Sequence, residues 1–423
     1  MKFFGDDGFR DIYGVNFLSR NFLDLFFNNL NFLLQNKKIK KIIIGYDNRT
    51  SNRNIIDIIL KNIKNIRKIL VLKTPISTPG LQYLSKKEKC FGIMITASHF
   101  PAKYNGFKFF VCGSKLTKND EVFLEKKISL KKKYIFKNIR RQKIEKINEK
   151  KYIDFLNINS SFEFKKKILI DGSNGSVSFF KKKLKLFENS KLINFDKNGK
   201  KINKNCGSNY FEGNIKKKIF KKYDFSIAYD GDADRFLVAE KKYGLIEAEK
   251  IALIFVNYFS NFKKIKNIVM TEIANPWLSE ELKVLGIRSI ISKVGDRNVV
   301  DKVKKYNSFL GFETSGHFSF FNSMDGILAS IFFCRIINAR SNLIYDILKK
   351  KIIYKKAIFG ILTKNVIEIK NYISKKEIKY IIRKSIWNNY YKLYVFYKKE
   401  DLSELKKLKK YLFDKSLKIK IKN

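Results

Sequence analysis

The chain has 423 residues and a mass of 49.8 kDa, too long for one ordinary core and enough for three or four units of roughly 100–150 residues. Hydrophobic residues make up 45% and aromatics 15%, with 4 prolines and 21 glycines, which excludes disordered, collagen-like and linker-rich chains. Lysine and arginine number 89 against 39 acids, a formal charge of +50. That excess runs through every segment of a chain crowded with Lys, Asn, Ile, Phe and Tyr, as A/T-rich codons would produce, and no RNP, zinc-finger or basic-zipper pattern accompanies it. No nucleic-acid partner is therefore expected.

Met1–Asp7 turns acidic before any apolar signal segment develops, and the greasy stretch Phe22–Leu34 is interrupted by Asp24, Asn28, Asn29 and Asn31. Neither export nor membrane spanning is expected. The cysteines Cys90, Cys112, Cys206 and Cys334 form no CxxC pair, so the expectation is a reducing cytoplasm rather than a zinc knuckle or a disulfide framework.

Three stretches repeat one plan, in which short apolar runs end at polar or glycine turns and lead into helix-like periodic segments. The first contains Lys41–Asp47, Lys68–Leu72 and Phe91–Ile95; the second Ile168–Asp171, Leu192–Phe195 and Phe225–Asp230; the third Asn267–Met270, Arg288–Ile291 and Phe309–Glu313. These predict parallel α/β units. After about residue 352 the runs Asn365–Ile369 and Tyr391–Tyr397 alternate, each followed by a charged helical stretch, which predicts a smaller α+β unit. The expected fold class is thus α/β, three similar domains with mixed or parallel sheets (1–155, 156–246, 247–352) and a C-terminal α+β domain (353–423), arranged around a central cleft.

Three loops at strand ends carry the chemistry. Asp230-Gly231-Asp232-Ala233-Asp234-Arg235 sets carboxylates at alternate positions around a glycine bend, so that all can face one hard cation such as Mg²⁺. An EF-hand is excluded, because Arg235 and Lys241 stand where its glycine and glutamate would be. In Thr96-Ala97-Ser98-His99, with Lys108 ten residues beyond Ser98, the serine reads either as a nucleophile or phosphate carrier or as an ordinary turn serine beside a structural histidine. In Glu313-Thr314-Ser315-Gly316-His317, Glu313 and Ser315 alternate and could bond neighbouring sugar hydroxyls, or the stretch is a glycine-rich turn. The chain's two histidines, His99 and His317, both lie in these loops. Weaker patterns, Gly5–Arg10, Gly45–Arg49 and Lys293–Arg297, each place a cation on a turn, suitable for phosphate. There is no Walker loop, GxGxxG or Gly-x-Ser-x-Gly elbow.

Taken together and in this order, the opening Phe4–Arg10 and the three loops resemble the α-D-phosphohexomutase superfamily over roughly residues 1–350, and Asn198–Ser208 resembles a segment of its glucosamine branch. The resemblance implies an isomerase-class phosphotransferase that interconverts glucosamine 6-phosphate and glucosamine 1-phosphate through a phosphoserine and a bisphosphate. It implies Ser98 as the phosphorylated serine, with Ser98, Asp230, Asp232 and Asp234 holding one Mg²⁺. Arg10, His99 and Lys108 would handle acid/base and phosphoryl contacts, Arg235 and Lys293 would support the site, and Glu313, Ser315 and His317 would bind the sugar. A hexose 1,6-bisphosphate, or autophosphorylation, would activate the enzyme, as a monomer or homodimer. Arg383 and Ser385 align with the family's phosphate-binding loop in the last domain, whose glycine, threonine and glutamate are absent from Ile386–Asn389. Other readings are a phosphomannomutase or phosphoglucomutase, or a sugar-phosphate binding protein without turnover.

Overall fold

The apolar runs become strands of four separate sheets in the structure, a computed structural model. It describes residues 2–5, 7–131, 134–135, 142–215, 217, 219–361, 366–374, 378–384, 390–414 and 420–422. The first sheet has seven strands. Phe91–Ile95, Lys41–Tyr46, Lys68–Leu72 and Lys143–Ile147 lie parallel, in that order. Tyr104–Val111 returns antiparallel on Phe91–Ile95, carrying Phe9–Ile12 and Ser114–Lys115.

The second and third sheets, five strands each, follow the same plan. Lys191–Ile193, Ile168–Asp171 and Phe225–Tyr229 are parallel, and Phe236–Glu240 returns antiparallel with Gly244–Leu245 beyond it. Arg288–Ser292, Asn267–Thr271 and Gly311–Phe312 are parallel, and Phe318–Phe320 returns antiparallel with Ser323–Met324 beyond it. The last sheet joins Lys379–Lys384, Tyr391–Tyr397, Lys355–Ile361 and Lys420–Lys422, all antiparallel.

Of the run Asn365–Ile369, Asn365 lies outside the described residues and the rest is not the strand expected from its alternation: Val366–Ser374 is a helix burying Ile369 and Ile373. Those two residues are one helical turn apart, and a five-residue run is too short to separate a period of two from a period of 3.6. Lys355–Ile361 and Lys379–Lys384 are strands that the sequence reading did not anticipate.

Helix starts follow local chemistry. Ser19, Ser77, Asn275 and Asp325 each accept a backbone N–H at a helix N-terminus, and Thr117 forms a reciprocal box with Asp120. Arg20–Asn36 contains the asparagines that interrupt the greasy stretch. There Asn31 donates to the carbonyls of Phe27, Asn28 and Asn62 and accepts from Lys64 N–H, so its amide is satisfied inside the apolar packing. Among the described residues no single helix is long and apolar enough to cross a membrane.

Phenylalanine does much of the filling beneath the first sheet. Phe26, fully buried, has ring centroids of Phe9, Phe27 and Phe109 at 4.9, 5.1 and 5.6 Å, mostly tilted or edge-on. Truncating it leaves a cavity that its rigid neighbours cannot close. Phe26→Ala is expected to cost about 3–5 kcal/mol in chemical denaturation, well above Phe22→Ala at the partly exposed edge of the same cluster.

Candidate active site

Each of the first three sheets contributes one loop, and always the same one: the connection from a parallel strand to its antiparallel return. Ser98 follows Phe91–Ile95, Asp230–Asp234 follow Phe225–Tyr229, and Glu313–His317 follow Gly311–Phe312. Carboxyl ends of parallel strands are where such folds gather their ligands. Here the three loops meet: Ser98 Oγ donates to Asp230 Oδ2 at 2.6 Å, and His317 Nε2 lies 3.3 Å from Asp234 Oδ1.

The serine loop is held from two sides. Arg49, fully buried and paired with Asp47 at 3.0 Å, donates to the carbonyls of Ser98, Phe100, Pro101 and Tyr104 at 2.5–3.0 Å. Asn203 Nδ2, from the second unit, donates to the Ser98 and Phe100 carbonyls at 2.8 and 3.0 Å. Asp47 also accepts from Thr96 Oγ1 at 2.7 Å, and that hydroxyl oxygen accepts the Ser98 N–H at 2.9 Å. Ser98 itself sits at φ 51°, a conformation that a non-glycine residue keeps only when its surroundings impose it. Gly231 makes the approach possible, since a Cβ there would meet the Ser98 carbonyl oxygen at 2.6 Å.

Asp230, Asp232 and Asp234 are all buried, and one oxygen from each lies within 4.8 Å of the others. Lys108 Nζ reaches Asp7, Asp232 and Asp234 at 2.9, 3.0 and 2.6 Å. Burial opposes its charge, but Asp232, Asp234 and Asp7 hold it well above the ordinary lysine value. Burial followed by Asp234 and Asp232 pushes Asp230 up to about 7. Burial works against Asp234 as well, yet Lys108 and His317 keep it well below the carboxylate range. His317 is disfavoured as a cation by burial, but Asp234 and Glu313 outweigh that and push it up to about 10.

Among the described residues, the ion pairs linked through Lys108 join five carboxylates (Asp7, Asp232, Asp234, Asp296, Glu313) to three cations (Lys108, Lys115, His317), two negative charges in excess. Asp232 Oδ1 is buried with no hydrogen-bond partner among the described residues. An all-oxygen donor set, an excess of two charges and an unmet oxygen fit a hard divalent cation.

His99 Nδ1 lies 3.2 Å from Ser98 Oγ and contacts Arg235 Nη2. Burial, then Arg235 and Arg10, lower its pKa to about 2, so it stands neutral. The Arg10 guanidinium lies over the Phe100 ring. Glu313 accepts from Gly295 N–H at 2.6 Å and from Ser315 Oγ at 3.3 Å, and Ser315 Oγ lies 2.9 Å from His317 Nδ1.

For the remaining candidates no contact with this cluster is seen among the described residues. Lys293 is exposed and makes no ion pair among the described residues. Arg383, on Lys379–Lys384, hydrogen-bonds Tyr394 within the last sheet. Ser385 lies outside the described residues. Two of the suggested phosphate cations are engaged otherwise: Arg49 with carbonyls, and Arg297 with Glu121.

The sequence reading missed Thr78, and it gave Asn203, inside the segment Asn198–Ser208, no place in the site. Thr78 Oγ1 donates to Asp232 Oδ2 at 2.6 Å, and Thr78 N–H donates to the Asp232 carbonyl at 2.9 Å. A Ser-Thr-Pro-Gly helix start just beyond a parallel strand end was the signal for Thr78.

The family model for phosphoglucomutase/phosphomannomutase, alpha/beta/alpha domain I, matches residues 1–134, and that for domain III matches 247–353. A phosphoglucosamine mutase of Dictyoglomus turgidum is 32% identical over 418 residues, covering 91% of each chain. The chain belongs to the phosphohexomutase superfamily. Another phosphohexomutase, a phosphoglucosamine mutase of Caldicellulosiruptor saccharolyticus, is 30% identical over 379 residues, 86% of this chain and 84% of its own. Among solved structures, a phosphoglucomutase/phosphomannomutase family protein from Burkholderia thailandensis superposes with TM-score 0.79 at 16% identity, over 97% of this chain and 96% of its own. The open form of Paramecium parafusin, a phosphoglucomutase, superposes with TM-score 0.76 at 15% identity, over 93% and 89%. This phosphohexomutase is an enzyme of the mutase class.

Arg49→Met should strand the buried Asp47 charge and release four carbonyls of the serine loop. The expected result is a stability loss of about 3–5 kcal/mol in chemical denaturation, with mutase activity reduced further than the unfolded fraction explains.

Proposed function

We propose that this phosphohexomutase interconverts glucosamine 6-phosphate and glucosamine 1-phosphate, with Ser98 carrying the transferred phosphoryl group. The observation that carries the mechanism is Ser98 Oγ 2.6 Å from Asp230 at the head of a three-aspartate loop, with Lys108, Arg235 and His99 closing round it. The choice of amino sugar rests on the phosphoglucosamine mutases with which the chain aligns over most of its length.

Phospho-Ser98 transfers its phosphoryl group to the free hydroxyl at one end of the sugar phosphate. A P–O bond to that hydroxyl forms, the P–O bond to Ser98 breaks, and the proton the hydroxyl loses is balanced by the one the released Ser98 oxygen takes up. The bisphosphate turns end over end, and Ser98 Oγ takes the phosphoryl group from the other end. Catalysis of this kind is chiefly positioning and charge stabilisation. Asp230, Asp232 and Asp234, with the serine oxygen, would hold Mg²⁺, which supplies charge neutralisation to the phosphoryl oxygens.

Lys108, held protonated by three carboxylates, is suited to face anionic oxygen as a fixed cation, and neither to give up its proton readily nor to act as the resting base. Asp230 Oδ2 accepts from Ser98 Oγ and orients that oxygen. Neutral His99 is fixed by Arg235, which itself leans on Asp230 at 3.5 Å. Glu313 and Ser315 face the sugar hydroxyls, with His317 tying both to the metal loop.

The test sets glucosamine, glucose and mannose 6-phosphates side by side, with Mg²⁺ and a trace of hexose bisphosphate. The expected order puts glucosamine 6-phosphate first, with turnover abolished by chelation, by Ser98→Ala and by Asp232→Asn. Equal rates on the three sugars would remove the glucosamine assignment. No turnover of any by folded, phosphorylated protein would remove the mutase reaction and leave a binding protein.

A further inference from the structure

Arg10 lies on Phe9–Ile12, paired with Gly106 across the edge of the first sheet, and its guanidinium carbon sits 5.2 Å from the centroid of the Phe100 ring. It is also one of the charges that suppress protonation of His99, which places it within electrostatic reach of the serine turn. The ring beneath it is well anchored. The Phe100 carbonyl accepts from both Arg49 and Asn203, at 2.7 and 3.0 Å, while the ring packs on His99 at 4.9 Å and Tyr104 at 5.0 Å. Phe100 is only partly buried, so core filling does not account for it.

A guanidinium over an aromatic face is attracted by the ring's quadrupole, and a partly desolvated pair is held more firmly than an exposed one. An arginine kept in one place before its ligand arrives loses less side-chain freedom on binding. We infer that Phe100 is a positioning residue, its ring presenting the Arg10 guanidinium beside the Ser98–His99 turn as a preformed donor to the phosphate that is carried to and from Ser98. This rests on the mutase reading for what Arg10 meets. It adds a residue that acts through the arginine it seats.

The experiment measures binding of glucose 1,6-bisphosphate to the full chain by calorimetry in Mg²⁺, independently of turnover. Phe100→Leu, similar in bulk but without a π face, should weaken binding about tenfold, whereas Phe100→Tyr should stay close to wild type. In an Arg10→Met background, itself weakened, Phe100→Leu should cause no further loss. The inference is overturned if Leu and Tyr behave alike, or if the Leu variant loses as much with Met at position 10 as with Arg. Wild type that binds the bisphosphate without isomerising any hexose phosphate would sink the mutase reading and leave this comparison intact. Wild type that does not bind it at all would overturn the role given to Arg10 and Phe100.

Discussion

Three aspartates buried within a few ångströms of one another cannot all keep their charge unless cations lie against them. That constraint organises the centre of the molecule. Lys108 bridges two of them to Asp7, Lys115 links Asp7 onward to Asp296, and His317 links Asp234 to Glu313. Elements from the first, second and third sheets are thereby joined through one charge network. The network still carries two more negative charges than positive ones, beside an unmet carboxylate oxygen and a serine hydroxyl. An all-oxygen donor set with that excess fits a hard divalent cation.

The way the loops reach one another follows from a shared plan of three sheets. In each, a buried parallel strand delivers its loop at the carboxyl end and an antiparallel return takes the chain away, so the loop is pinned on both sides. Precision at Ser98 comes from elsewhere. Its positive φ is imposed by donors on its flanking carbonyls, one set from Arg49 in its own unit and one from Asn203 in the next. A single buried guanidinium serving four carbonyls makes the loop part of the core without making it apolar.

What the sequence made legible was whatever is local. Three carboxylates at alternate positions declare their chemistry within a few residues, whereas the Ser98–His99 and Glu313–His317 loops each stayed open to an ordinary-turn reading until taken together; the structure brings all three together. Residues whose meaning depends on partners far along the chain were opaque. Arg49 looked like a phosphate cation and proved to be a clamp on carbonyls some fifty residues away. Thr78 meets Asp232 across 154 positions and Asn203 meets Ser98 across 105, distances over which no spacing argument operates. The last unit was read least well, because Asn365–Ile369 is short enough to satisfy either period and tertiary burial of Ile369 and Ile373 decided for helix.

The account's central claim is that Ser98 is the covalent carrier, and peptide mass spectrometry after incubation with glucose 1,6-bisphosphate and Mg²⁺ tests it most directly. The account predicts one phosphoryl group on the peptide containing Ser98, absent when metal is chelated and discharged when hexose 6-phosphate is added. A phosphoryl group carried on another residue, or hexose phosphate isomerisation proceeding while Ser98 stays unmodified throughout, would contradict it.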